Sequence, residues 1–120
     1  MLQKSSPKGN YGETVAIEYL KKNGYSIIER NWRSRPYEVD VVAIDNGVLV
    51  IVEVKTQFNA TDMSPEEEMT PWKIRTISQA AQLYSHLHPD LPEQLRIDFV
   101  GVRIVDSSEP QINLIKNITG

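Results

Sequence analysis

The chain has 120 residues, of which 40% are hydrophobic and 24% charged, and it carries a net charge of −3. That length gives one domain with a real core, and the balance is too apolar for a disordered chain. The absence of cysteine excludes disulfides and zinc–thiolate sites, and the acidic balance argues against coating nucleic acid through bulk charge.

Met1 to Asn10 is rich in Lys, Ser, Pro and Gly and has no apolar signal-type stretch. A mobile N-terminus is expected there, followed by one domain over 11–118. No apolar run approaches the ~18 residues of a membrane span. A cytoplasmic protein with no membrane partner is therefore expected. Tyr11 to Asn23 predicts a helix, with Val15, Ala16, Tyr19 and Leu20 at helical spacing and Asn23-Gly24 as its stop. Tyr25 to Trp32 predicts a strand, broken by Arg33-Ser34-Arg35-Pro36. Two apolar strands follow, Tyr37 to Ile44 and Val48 to Lys55. The Asn46-Gly47 pair between them is a strong hairpin signal. Thr56 to Met69 is polar and acidic and predicts a mobile loop. Thr70 is placed to cap a helix with Pro71 in its first position. Ile74, Ile77, Ala81 and Tyr84 form the apolar stripe of that helix, which should end before Pro89. Strands at Arg96 to Val105 and Gln111 to Ile115 complete an α-β-β-β-α-β-β order, an α/β domain with a mixed sheet.

The chemistry concentrates on the hairpin. In a strand, residues two apart share a face, so Glu53 and Lys55 project together beside Leu49 and Ile51. Charges in the middle of an apolar pattern are rarely buried unless paired or bound to metal. A two-residue turn sets Asp45 opposite Val48. Carried down the ladder, that register sets Asp40 opposite Glu53 and Glu38 opposite Lys55. Opposed carboxylates repel, and a bound cation removes that cost. Two carboxylates with water and a backbone carbonyl suit Mg²⁺ or Mn²⁺, and an adjacent ammonium suits metal-assisted phosphodiester hydrolysis. The competing interpretation is a salt-bridge cluster on a solvated face.

Other candidates divide in the same way. Glu13 in the first helix complements the helix dipole unless it folds against the hairpin. Arg30, Trp32, Arg33 and Arg35 could meet phosphates and stack a base, or Trp32 could belong to the core. Lys73 and Arg75 begin a helix, where cations oppose the dipole, and this hints at a phosphate contact. His86 and His88 read as surface residues, and Gln79 as an ordinary helix residue.

Several strings then carry a resemblance. They are Gly12-Glu13, Ala16, Tyr19-Leu20, Gly24-Tyr25, Arg30-Asn31-Trp32-Arg33, Glu38-Val39-Asp40, Val52-Glu53-Val54-Lys55-Thr56, Lys73 and Arg96-Ile97-Asp98-Phe99-Val100. In this order they resemble the YraN-type uncharacterised protein family. That family is grouped with PD-(D/E)xK nuclease-like proteins, beside archaeal Holliday-junction resolvases and restriction endonucleases. The resemblance implies a restriction-endonuclease-like α-β-β-β-α-β core with a central mixed sheet flanked by helices. It implies Asp40, Glu53 and Lys55 as the signature acid, acid and lysine, with Glu13 as a further acid. It also implies Mg²⁺ or Mn²⁺ as cofactor and DNA, branched or duplex, as substrate, gripped by a homodimer. The chain departs from the family pattern at Tyr37, where Gly is usual, and at Gln57, where Arg is usual. It departs again in the acidic loop after Phe58. Two functions compete: a metal-dependent endonuclease, and a nucleic-acid-binding module of the same fold without useful catalysis.

Overall fold

Asn46 and Gly47 have φ angles of 51° and 77°, the left-handed pair that a two-residue type I′ turn requires. Around this turn β2 (Tyr37–Asp45) and β3 (Val48–Phe58) pair antiparallel, from Asp45 opposite Val48 to Val41 opposite Val52, in the register expected. This computed structural model describes residues 7–59, 64–106 and 108–120. Before the hairpin come α1 (Pro7–Lys22) and β1 (Ser26–Ser34). After it come a single 3-10 turn (Pro65–Glu68), α2 (Pro71–Leu87), β4 (Leu95–Ile104) and β5 (Gln111–Ile115). The sheet order is β1-β2-β3-β4-β5, and only the β3–β4 pair is parallel. α2 is the crossover that a parallel neighbour needs. The architecture is the expected α-β-β-β-α-β core with a mixed sheet between two helices.

Strand alternation sorts the core into two layers. Val41, Ala43, Val50, Val52 and Val54 pack toward Ala16, Ile17 and Leu20 of α1. Val42, Leu49, Ile51 and Ile97 pack toward Ile77, Ala80, Ala81 and Tyr84 of α2. Each such aliphatic side chain contributes about 1.5–3 kcal/mol when fully buried. α2 is capped as expected: the Thr70 hydroxyl accepts the Lys73 N–H at 3.2 Å.

Several boundaries differ from the sequence-based expectations. α1 begins at Pro7, where a proline suits the first turn, so residues 7–10 belong to the helix; residues 1–6 lie outside the described residues. β1 continues to Ser34, and the chain turns at Arg35-Pro36. The segment expected to be a mobile loop from Thr56 to Met69 is partly built into the sheet. β3 runs on to Phe58 because β4 stays beside it through Ile104. Pro65 then packs on Gly101, where a side-chain Cβ would meet Pro65 Cβ at 2.9 Å. Residues 60–63 lie outside the described residues.

A charged network joins the C-terminal segment and Tyr25 to the sheet. Arg96 donates to Asp45 at 2.7 Å and to Asp98 at 2.8 Å. Asp98 also accepts the Tyr25 hydroxyl at 2.7 Å and the Asn117 N–H at 2.9 Å. The Arg96 hydrogen bond holds the Asp45 carboxyl below its ordinary range, helped by Lys116. Two acids meet two cations here, so the buried charge is balanced, as burial demands.

Candidate active site

The site begins with a break in strand alternation. Val41 faces α1, so Val39, two residues earlier, should face α1 as well; instead it packs in the α2 layer. The neighbouring strand breaks at the same level. Arg30, opposite Val41, reaches α1, donating to the Asn10 carbonyl at 3.1 Å and to Thr14 Oγ1 at 3.0 Å. Trp32, opposite Val39, makes an edge-to-face contact with Tyr84 of α2 at 5.0 Å. Asn31 between them has φ 56°, a left-handed kink that turns the strand over. Asp40 lies at the crossover on β2.

Asp40 is 1% exposed. Its Oδ2 accepts the Val54 N–H at 2.7 Å. In an unbroken two-residue hairpin that N–H would bond the Val39 carbonyl. The carboxylate takes the carbonyl's place, and β2–β3 pairing stops at Val41–Val52, one step short of the expected Asp40–Glu53 pair. The two acids are nevertheless neighbours. Val54 N is bonded to the Glu53 carbonyl carbon, so the 2.7 Å contact puts Asp40 Oδ2 within about 5 Å of Glu53 Cα.

Glu53 and Lys55 share the α2 face. Together with Tyr37, Glu38, Trp72 and Lys73 they line a cleft of about 150 Å³ between the ends of β2 and β3 and the start of α2. Glu38 and Lys55, expected to oppose each other, both line this cleft, although the ladder pairing ends before them. Glu38 is held by Arg33 at 3.1 Å. Arg33 and Arg35 line an adjoining depression that shares Tyr37 and Glu38 with the cleft. The Tyr37 hydroxyl donates to Gln79 at 3.2 Å, which ties Gln79 to the rim.

Other candidates stand apart. Glu13 is buried, with Oε1 3.7 Å from Arg30 Nε on the α1 face, opposite Glu53 and Lys55. Gly12 beside it lies against Thr56 of β3, so this turn of α1 spans β2 from behind. Arg30 is engaged with α1 and lies away from the cleft, which corrects its expected place among phosphate-facing residues. Trp32 is half-buried and packs against the α2 layer through its edge-to-face contact with Tyr84. His88 stacks on Tyr84 at 3.9 Å, and His86 is exposed. Among the described residues no group of three or more His, Cys, Asp or Glu side chains is placed to hold a metal ion. None of their helices is long and apolar enough to cross a membrane.

Trp72 is the residue that sequence reasoning passed over. It is 66% exposed at the cleft rim. The signal was its position, one residue past Pro71 and off the stripe of Ile74, Ile77, Ala81 and Tyr84.

The chain is similar to known proteins over most of its length. The UPF0102 protein of Persephonella marina is 42% identical over 95 residues, covering 79% of this chain and 82% of that protein. A UPF0102 protein of Clostridium perfringens is 34% identical over 110 residues, covering 91% and 90%. One from Bacteroides fragilis is 42% identical over 94 residues, covering 78% and 77%. The family profile matches residues 12–102, from Gly12 on α1 to Val102 on β4, and so takes in Asp40, Glu53 and Lys55. The chain belongs to the uncharacterised protein family UPF0102.

Proposed function

We propose that the protein is a metal-dependent endonuclease acting on DNA. The observation that carries this proposal is the insertion of the Asp40 carboxylate into the β2–β3 ladder, next to Glu53. A buried carboxylate costs several kcal/mol to desolvate, and a plain ladder would need none there. Asp40 and Glu53 offer hard oxygen donors, and backbone carbonyl and water complete a set suited to Mg²⁺ or Mn²⁺. When bound, such an ion polarises a phosphoryl oxygen and lowers the pKa of water. The chain's own residues do the rest. Lys55, beside Glu53 in the cleft, orients the attacking water and balances charge on the phosphorane-like transition state. Lys73, on the opposite wall, meets a neighbouring phosphate, and Arg33 and Arg35 extend that track. Glu13 is a positioning residue: through Arg30 it fixes the β1 segment that turns over at Asn31, and with it the direction of Asp40.

The test is cleavage of linear and branched DNA with Mn²⁺. Asp40→Asn, Glu53→Gln and Lys55→Met should each lower the initial rate by about 100-fold or more. Equal cleavage by wild type and Asp40→Asn overturns the assignment. A second function, a binding module without turnover, draws support from the engagement of Arg30 by α1 and of Arg33 by Glu38, which leaves fewer cations for substrate. Salt-dependent DNA binding with no metal-dependent cleavage would favour it.

A further inference from the structure

We infer that Trp72 is a stacking platform for an unpaired base, so that the cleft takes a single-stranded stretch of nucleic acid; this rests on the nuclease proposal and narrows its substrate. A lone exposed apolar side chain needs no explanation. Tyr11, Ile28 and Leu87 are also exposed, but none of them lines the cleft. Trp72 does, beside Lys55 and Lys73. The cleft's volume of about 150 Å³ is that of a cavity able to hold one benzene-sized ring. Lys55 and Lys73 are the cations lining the cleft, and of its acids Glu38 is held by Arg33. One flat aromatic face, room for one ring and two flanking lysines match one nucleotide: base, then phosphate. In a duplex interior both faces of every base are already stacked. Trp72 can therefore engage only a base with an open face.

The protein supplies its own reporter. It has two tryptophans, and Trp32 is half-buried against Tyr84, so the part of an emission change on binding that is lost in Trp72→Ala reads Trp72. Titration with decathymidylate in EDTA, where no turnover occurs, should quench that emission. Trp72→Ala should weaken binding roughly 5- to 100-fold, the worth of one stacked base. Trp72→Phe, which keeps an aromatic face, should recover affinity to within about 3-fold of wild type. A decamer of the same charge with abasic sugars, and an end-closed dumbbell duplex, should bind wild type and Trp72→Ala alike. Unchanged decathymidylate affinity in Trp72→Ala overturns the inference. So does equal quenching by the abasic strand, which would reduce the effect to charge. If Trp72→Ala keeps full single-strand affinity while Asp40→Asn abolishes cleavage, the inference falls and the nuclease proposal stands. If wild type binds neither strand nor duplex, both fall, and the exposed indole belongs to a protein contact.

Discussion

Asp40 does two separable things. Its carboxylate replaces a ladder carbonyl for the Val54 N–H, and it brings negative charge to Glu53. Asparagine keeps an acceptor oxygen but no charge; alanine keeps neither. Asp40→Ala should therefore destabilise the fold by about 1–3 kcal/mol, the cost of a buried donor left unmet. Asp40→Asn should stay within about 1 kcal/mol of wild type in urea melts, because removing the buried charge offsets the weaker bond. Equal destabilisation by the two variants would show that charge, and not the acceptor, holds β2 to β3. The position of Asp40 in mid-strand is legible in the run from Val39 to Val42. Its direction is not. Alternation assumes an unbroken pleat, and the break comes from Asn31, whose left-handed φ lies in a different strand. The Asn46-Gly47 turn needs the same left-handed geometry but announces it locally, which is why the hairpin is legible and the crossover is not.

At the scale of elements, α1 is set against the sheet by one close approach. A Cβ on Gly12 would run into Thr56 Oγ1 and lie 2.8 Å from Thr56 Cβ. Gly12→Ala gains up to about 1 kcal/mol of helix propensity. Overpacking at so short a distance costs about 1–3 kcal/mol and should win. The variant is expected to be destabilised overall, and cleavage should fall as Glu13 shifts away from Arg30 of β1. Thr56→Ala should restore part of the stability in the double variant, not all, because the Thr56 Cβ remains close. Additive effects in the double-mutant cycle would mean that the two residues do not press on each other. The ends of elements were legible where a local device marks them, as with Thr70 and Pro71 at the start of α2. They were not legible where a distant partner decides. β3 outlasts its apolar run because β4 stays paired with it, and Pro65 is ordered by the bare backbone of Gly101.

At the scale of the molecule, the acidic balance and the candidate site bear on one measurement. The network of Asp45, Arg96, Asp98 and Lys116 is drawn from positions up to 71 apart, so no local pattern announces it. It is internally neutral and leaves no demand for a cation. Asp40 and Glu53 are the acids proposed to hold one, with Asp40 Oδ2 within about 5 Å of Glu53 Cα. If they hold a divalent ion, the ion binds the folded chain alone and stabilises it by RT ln(1 + [L]/Kd), about 2.7 kcal/mol at a hundredfold excess over Kd. In a domain of this length that moves the melting midpoint upward by roughly 10 °C. Mn²⁺ or Mg²⁺ should produce the shift in calorimetry, and Asp40→Asn or Glu53→Gln should flatten it. Asp45→Asn should lower the midpoint but leave the metal-induced increment intact, because its carboxylate is matched by Arg96 and Lys116. An increment of equal size in Asp40→Asn would place the ion elsewhere on this acidic surface. No increment in wild type would overturn the ion site at Asp40 and Glu53.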